Sequence, residues 1–89
     1  MITKDILSEA NKLVGGDRQK DYGDKVKNHN NIAKLWSAYL DVKIEAHDVA
    51  IMMALLKVAR TKLGAVSKDT YIDMSAYSAI AGEIKWRKK

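Results

Sequence analysis

Residues 45–63 read EAHDVAIMMALLKVARTKL and form the most apolar stretch of the chain. The apolar residues recur at spacings of three and four, which is the period of an α-helix with one buried side; they are Val49, Met52, Met53, Leu56 and Leu63. Gly64 follows, and glycine commonly ends a helix. The stretch therefore predicts a long buried helix over about 45–63.

Three further segments keep a helical period, over about residues 5–14, 26–40 and 67–85. Thr3 and Ser67 are expected to cap the first and last of them. The expected buried stripes are Ile2, Ile6, Leu7, Ala10, Leu13 and Val14 in the first helix, Ile32, Leu35, Trp36 and Tyr39 in the second, and Met74, Tyr77, Ile80, Ala81 and Ile84 in the fourth. The chain has no proline and lacks the turn signals of hairpins. We predict an all-α, compact four-helix assembly.

The length of 89 residues allows one domain, 1–89, and excludes a second core. With 47% apolar and 30% charged residues the chain is not of the disordered class. It has no cysteine, so no disulfide supports the fold. A domain this short relies on good packing or on partner subunits, and we expect a homo-oligomer.

The net charge of +5 is concentrated at one end of the chain. Lys85, Arg87, Lys88 and Lys89 supply four of these charges, so the remainder carries only +1. We therefore interpret 85–89 as a basic tail on a nearly neutral domain. Nucleic-acid binding is not expected, since such proteins spread lysine and arginine along a face.

The start of the chain and its hydropathy give expectations about location. No apolar run approaches the roughly 20 residues needed to cross a bilayer, and no membrane association is expected. Charges at Lys4, Asp5 and Glu9 argue against a secretory leader. A cytoplasmic location is the expectation.

A polar segment, GDRQKDYGDKVK from Gly16, separates the first two helices. Its roughly ten residues without apolar periodicity exceed the usual link between bundled helices. Long ordered loops are more often functional than short ones.

Two charges fall on the apolar stripes of the last two helices. Arg60 lies four residues after Leu56, and Asp73 lies four residues before Tyr77. Because charges are rarely buried unpaired, an Arg60–Asp73 ion pair between antiparallel helices is one interpretation. The other is a cleft in which Lys57 and Arg60 hold a phosphate or carboxylate while Asp73 orients Arg60.

Asp48 and the histidines admit several functions. Asp48 either stabilises the first turn of its helix or contacts a ligand or metal at the mouth of the bundle. His29 with the His47–Asp48 pair fits weakly to a metal-dependent phosphohydrolase. Glu45-Ala-His-Asp48 forms half of the acidic pattern of all-α nucleotide pyrophosphohydrolases, which hold Mg²⁺ with four carboxylates on two helices. The first half of that pattern is incomplete, so we expect no metal or cofactor.

Four motifs together resemble a family of small proteins of unknown function in tailed phages and prophages. They are GDRQKDYGD, N-H-x-x-I-A-x-L-W-S-A-Y-L, D-V-A-x-M-M-x-L-L-K-V-A-R and D-x-Y-I-D-M-x-x-Y, and the resemblance covers about residues 7–83. The family positions are Gly16, Asp17, Arg18, Asp21, Tyr22, Gly23, Asn28, Trp36, Asp48, Lys57, Arg60, Asp73 and Tyr77. The resemblance implies a phage origin and action in the host cytoplasm, and His47 lies outside its pattern.

The polar members of this set are more numerous than a fold requires, and they define our candidate ligand-binding residues: Arg18, Tyr22, Asn28, Asp48, Lys57, Arg60, Asp73 and Tyr77. We expect a non-catalytic protein that binds an anionic, nucleotide-like small molecule, with sequestration of a host signalling nucleotide as one use. The first alternative is an interaction module that inhibits or redirects a host enzyme. The second is the Mg²⁺-dependent nucleotide pyrophosphohydrolase.

Overall fold

The computed structural model describes residues 1–15, 24–62, 64 and 67–87, and within them it contains four α-helices and no strand. The helices are α1 (Thr3–Gly15), α2 (Lys25–Leu40), α3 (Ala46–Arg60) and α4 (Lys68–Trp86). The all-α prediction is confirmed. Each helix begins within two residues of its expected start, and α3 ends three residues before Leu63.

Side chains satisfy backbone groups at the starts of α1 and α2. Ser67 is the N-cap residue of α4, as predicted, but its side chain makes no capping hydrogen bond, whereas Thr3 is the first helical residue of α1 and not its cap. The Asp5 carboxylate instead accepts from the Ile2 amide at 2.9 Å. Asp24 caps α2 by accepting from the Val26 amide at 2.8 Å. Each contact satisfies a backbone N–H that the helix itself leaves without a partner.

Helix α4 is the centre of the packing, since both α1 and α3 lie against it, while α2 packs on α3. One apolar cluster joins α1 to α4 through Ala10, Ile72 and Ala76. A second joins α3 to α4 through Ala50, Ile80 and Ala81. The cores are rich in alanine, whose small side chain allows helix backbones to approach closely.

A short connection orients α2 relative to α3. Asp41 ends α2 in the left-handed conformation, with φ of 57°. The Ser37 hydroxyl then binds both backbone groups of Ile44, donating to its carbonyl at 3.1 Å and accepting from its amide at 2.8 Å. This side chain therefore fixes the path of the chain between the two helices.

The buried side of α3 differs from the predicted stripe. Ala46, Val49 and Ala50 are buried, and Val49 is the largest fully buried side chain in the described residues. Met52 and Leu56, expected inside, are exposed. The prediction was right for Val49 and wrong for Met52 and Leu56, because α3 is apolar around most of its circumference and the period alone does not select one side. Leu63, the last residue of the predicted stripe, lies outside the described residues.

The predicted buried stripes of α1, α2 and α4 were partly correct. In α2, His29 and Ala33 are buried, whereas the predicted Leu35 and Tyr39 are exposed. In α1, Ala10 is buried, but Ile2 and Leu7 are exposed. In α4, Ile80 and Ala81 are buried as expected, together with Thr70, Ile72 and Ala76.

Candidate functional site

Lys57 of α3 pairs with Asp73 of α4, with 3.4 Å between Nζ and Oδ2. The side chains are 14% and 22% exposed, so water screens the pair only in part. The predicted Arg60–Asp73 pair was wrong in its cation, since Lys57 takes that place. Arg60 is the last residue of α3 and is exposed, because it lies where the helix ends and leaves the interface with α4.

Arg60 nevertheless lies close to Lys57 along α3. Residues three apart in a helix are neighbours on its surface, so the Arg60 guanidinium lies about one turn beyond the half-buried Lys57 ammonium. Asp73 balances the charge of Lys57. The exposed Arg60 therefore adds positive charge beside a pair that is itself neutral.

His29 of α2 is buried, with only 6% of its surface exposed. Its Nδ1 lies 2.8 Å from the Lys25 carbonyl oxygen. A carbonyl can only accept, so Nδ1 carries a proton, and in the neutral imidazole Nε2 is then an acceptor. Nε2 is buried and has no hydrogen-bond partner among the residues that the structure describes.

The His29 ring lies against Tyr77 of α4. The ring centroids are 6.4 Å apart and the planes are inclined by 56°, a tilted arrangement in the range that aromatic pairs favour. Tyr77 follows Asp73 by four residues, so both side chains lie on one side of α4. The contact brings α2 to the same strip of α4 that Lys57 reaches from α3.

A third contact continues along α4, where Glu83 pairs with Lys25 at 3.4 Å. We call these three contacts the polar seam: Lys57–Asp73, His29–Tyr77 and Lys25–Glu83. The seam runs along α4 and joins it to both α2 and α3. Sequence reasoning found Lys57, Asp73 and Tyr77 but did not include His29 among the ligand-binding residues, although its place one turn before the Ile32–Trp36 stripe indicated an inner position.

The start of α2 lies near the end of α4. The Val26 amide, by donating to the Asp24 carboxylate, lowers the pKa of Asp24 below its ordinary value, and the positive charge of Arg87 acts in the same direction. Arg87 itself pairs with Glu83 at 3.4 Å. The first residue beyond α4 is thus electrostatically coupled to the helix cap next to the seam.

Asp48 lies apart from the seam. It is nine residues before Lys57, which is two and a half helical turns, so the two side chains lie on opposite sides of α3. Asp48 Oδ2 accepts from the Glu45 amide at 2.9 Å as part of a capping box. This geometry fits the interpretation in which Asp48 stabilises the first turn of α3.

The remaining candidates are not gathered at the seam by the described residues. Asn28 is exposed and lies about 100° around α2 from His29. Arg18 and Tyr22 lie outside the described residues, as does most of the polar segment that was predicted to be functional. His47 is half-buried at the start of α3.

No group of three or more His, Asp or Glu side chains in the described part of the chain is arranged to hold a metal ion. None of the helices in this part of the chain combines the length and apolar character required to cross a membrane.

The described part of the chain is a small all-α domain, and its relatives are phage proteins. Residues 5–85 match a family described as a domain of unknown function, DUF6378. The chain belongs to this family, which confirms the resemblance seen in its motifs.

Two relatives come from mycobacteriophages. The Gene 55 protein of Mycobacterium phage L5 is 42% identical over 76 residues, covering 84% of this chain and 49% of the relative. The Gene 55 protein of Mycobacterium phage D29 is 39% identical over 83 residues, covering 93% of this chain and 55% of the relative. The chain thus spans about half the length of these relatives. No solved structure matches it.

Proposed function

We propose that the protein binds an anionic, nucleotide-like small molecule at the polar seam, without turning it over, in the cytoplasm of the host cell. The observation that carries this proposal is the buried Nε2 of His29, which has no partner in the described part of the chain. Leaving a buried polar atom unsatisfied costs about 1–3 kcal/mol. A bound molecule that supplies a hydrogen bond there removes that cost.

The tautomer of His29 defines the chemistry of the missing partner. Since Nδ1 donates to the Lys25 carbonyl, Nε2 of the neutral ring requires a donor. A sugar hydroxyl or an amino group of a base is such a donor. The adjacent Tyr77 ring adds an aromatic surface, and its hydroxyl can donate or accept.

The cations beside the seam suit the anionic part of the same molecule. Arg60 presents five N–H donors in a planar fork, a geometry that fits phosphate and carboxylate. Lys57 is held next to it by Asp73. A hydroxyl or amine at His29 and an anion at Arg60 together describe a nucleotide-like ligand, and binding without turnover would suit the sequestration of a host signalling nucleotide.

Thermal unfolding in the presence of ligands tests the proposal. The panel contains adenosine and guanosine mono-, di- and triphosphates and cyclic nucleotides, each with and without Mg²⁺. A ligand present at 100 times its Kd stabilises the fold by about 2.7 kcal/mol, which for a domain of this size raises the Tm by roughly 10 °C or more. We expect such a rise for at least one nucleotide without Mg²⁺, and the nucleotide should be recovered unchanged by chromatography.

Two variants connect the binding to the seam. Arg60→Ala should keep the Tm of the free protein, because the side chain is exposed, and should weaken binding about tenfold or more in calorimetric titration. His29→Phe should remove the acceptor while keeping an aromatic side chain, and should also weaken binding. Lys43→Ala is the matched control, because it removes an exposed cation beyond the opposite end of α3 and should leave affinity unchanged.

The outcomes separate the rival functions. Mg²⁺-dependent product formation would contradict binding without turnover and support the pyrophosphohydrolase. An absence of response to every nucleotide would contradict the proposal and favour the interaction module, in which the polar residues of the seam serve only the fold.

A further inference from the structure

The side of α3 that faces away from α4 is apolar and uncovered. We call it the outer face of α3: Ile51, Met52, Leu55, Leu56 and Val58, which are between 38% and 58% exposed. Ile51, Leu55 and Val58 follow each other at four and three residues and so form one stripe, with Met52 and Leu56 beside it. A helix that is apolar on both sides is normally buried on both.

The chain exposes more surface than an average monomer of its mass. It exposes 6741 Å², whereas a monomer of 10.0 kDa exposes about 5,200 Å². The excess of about 1,500 Å² is larger than the roughly 800 Å² that each partner buries in a standard interface. The radius of gyration of 13.7 Å likewise exceeds the roughly 12 Å expected for this length. The chain therefore has enough surplus surface for a stable interface.

The charges at the two ends of the outer face have opposite signs. Asp48 lies seven residues before Leu55, and Lys62 lies seven residues after it. Seven residues are about two turns, so Asp48 lies on the Leu55 side of α3. Lys62 lies in the turn that follows the last residue of α3, where its amide donates to the Ala59 carbonyl at 3.3 Å. Leu55 is thus the midpoint of a face that is acidic at its start and basic at its end.

We propose that a second copy of this chain covers the outer face, with two α3 helices packed antiparallel about a two-fold axis at Leu55. In this arrangement Met52 of one copy lies opposite Val58 of the other, and Asp48 lies opposite Lys62. The interface is self-complementary, as a two-fold axis requires. A parallel pair would instead place Asp48 against Asp48, which is repulsive.

The dimer leaves the polar seam accessible. Lys57 lies on the opposite side of α3 from Asp48, and Asp73 and Tyr77 belong to α4, which the outer face does not contact. The interface and the proposed ligand site are therefore independent, and one can fail while the other holds. The capping role of Asp48 is also compatible with the pair, since its carboxylate has acceptor capacity beyond the bond to Glu45.

Light scattering on the full chain at micromolar concentration, without ligand, tests the inference. We expect a particle of twice the 10.0 kDa chain mass. Leu55→Asp should convert it to a monomer, because it places two carboxylates together at the two-fold axis. Leu35→Asp is the matched control: Leu35 is an exposed leucine on α2, outside the outer face, and its variant should remain a dimer. A 10 kDa particle for the unmodified chain would overturn the inference.

Disulfide formation tests the orientation, since the chain has no cysteine of its own. Leu55→Cys should cross-link to itself under mild oxidation, and Leu35→Cys should not. Val58→Cys alone should cross-link poorly, whereas Met52→Cys mixed with Val58→Cys should give the mixed dimer. Efficient self-linking of Val58→Cys would indicate parallel helices and contradict the proposed pairing.

Discussion

The two sides of α3 are built in opposite ways. The inner side of α3 carries the buried residues Ala46, Val49 and Ala50 and the charged Lys57, while the outer face carries isoleucine, methionine, leucine and valine. The larger apolar side chains are thus outside and an ion pair is inside. Side-chain size, and not hydrophobicity alone, decides which side meets α4, because alanine allows the close approach that the second core shows at Ala50 and Ala81.

Replacing a buried alanine and an exposed alanine with leucine should give the largest difference in stability. Ala50 is fully buried against Ile80 and Ala81, so Ala50→Leu should destabilise the fold by about 3 kcal/mol through overpacking. Ala38→Leu, at an exposed position of α2, should change stability by about 0.5 kcal/mol or less. Urea unfolding followed by circular dichroism measures both. Equal losses of stability in the two variants would show that the inner side of α3 is packed no more tightly than the protein surface.

Breaking the ion pair between Lys57 and Asp73 should have the next largest effect on stability. Asp73→Ala leaves the Lys57 ammonium half-buried without its partner, and should cost about 1–3 kcal/mol, less than a fully buried pair because water reaches this one.

Replacing both charges separates loss of the pair from loss of packing. The double variant Lys57→Met with Asp73→Leu should recover much of the lost stability, since no charge remains to be desolvated. A double variant as unstable as Asp73→Ala would contradict this account. In the same unfolding series, Arg60→Ala serves as the control and should leave stability nearly unchanged.

The cap of α2 should give a smaller, pH-dependent effect. Because the Val26 amide lowers the pKa of Asp24 in the folded state, the charged cap stabilises the fold above the ordinary carboxylate pKa. That contribution disappears as the pH falls through the lowered pKa. In thermal scans the Tm of Asp24→Ala should therefore lie a few degrees below that of the unmodified chain near neutral pH. This difference in Tm should become smaller in acid. Asp24→Asn caps without titrating and should remove the pH dependence.

Removal of the basic tail should have the smallest effect. Lys85, Trp86 and Arg87 are exposed at the end of α4, so deleting 85–89 removes charge and little buried surface. We expect a Tm within a few degrees of the full chain, unchanged nucleotide binding, and a small rise in the pKa of Asp24 from the loss of Arg87. A large loss of stability in the thermal scan would indicate that the tail is docked.

The elements of the fold were largely contained in the sequence. Helical period and the N-cap position of Ser67 are local features, and local features largely determine where helices begin. Gly64, which was predicted to end α3, takes a positive φ of 79° but lies four residues beyond Arg60, the last residue of that helix. The same reasoning placed charges of α3 and α4 on facing sides. It also identified Lys57, Asp73 and Tyr77 as members of one group.

Only the tertiary structure decided which sides of the helices meet. An apolar helix such as α3 has no single preferred side in its sequence, so the choice between Val49 and Leu56 depended on how closely α4 can approach. The partner of Asp73 depended on where α3 ends, which makes Lys57 internal and leaves Arg60 exposed. The burial of His29 required α2 to reach Tyr77 of α4, a contact between residues distant in the chain that no local pattern specifies.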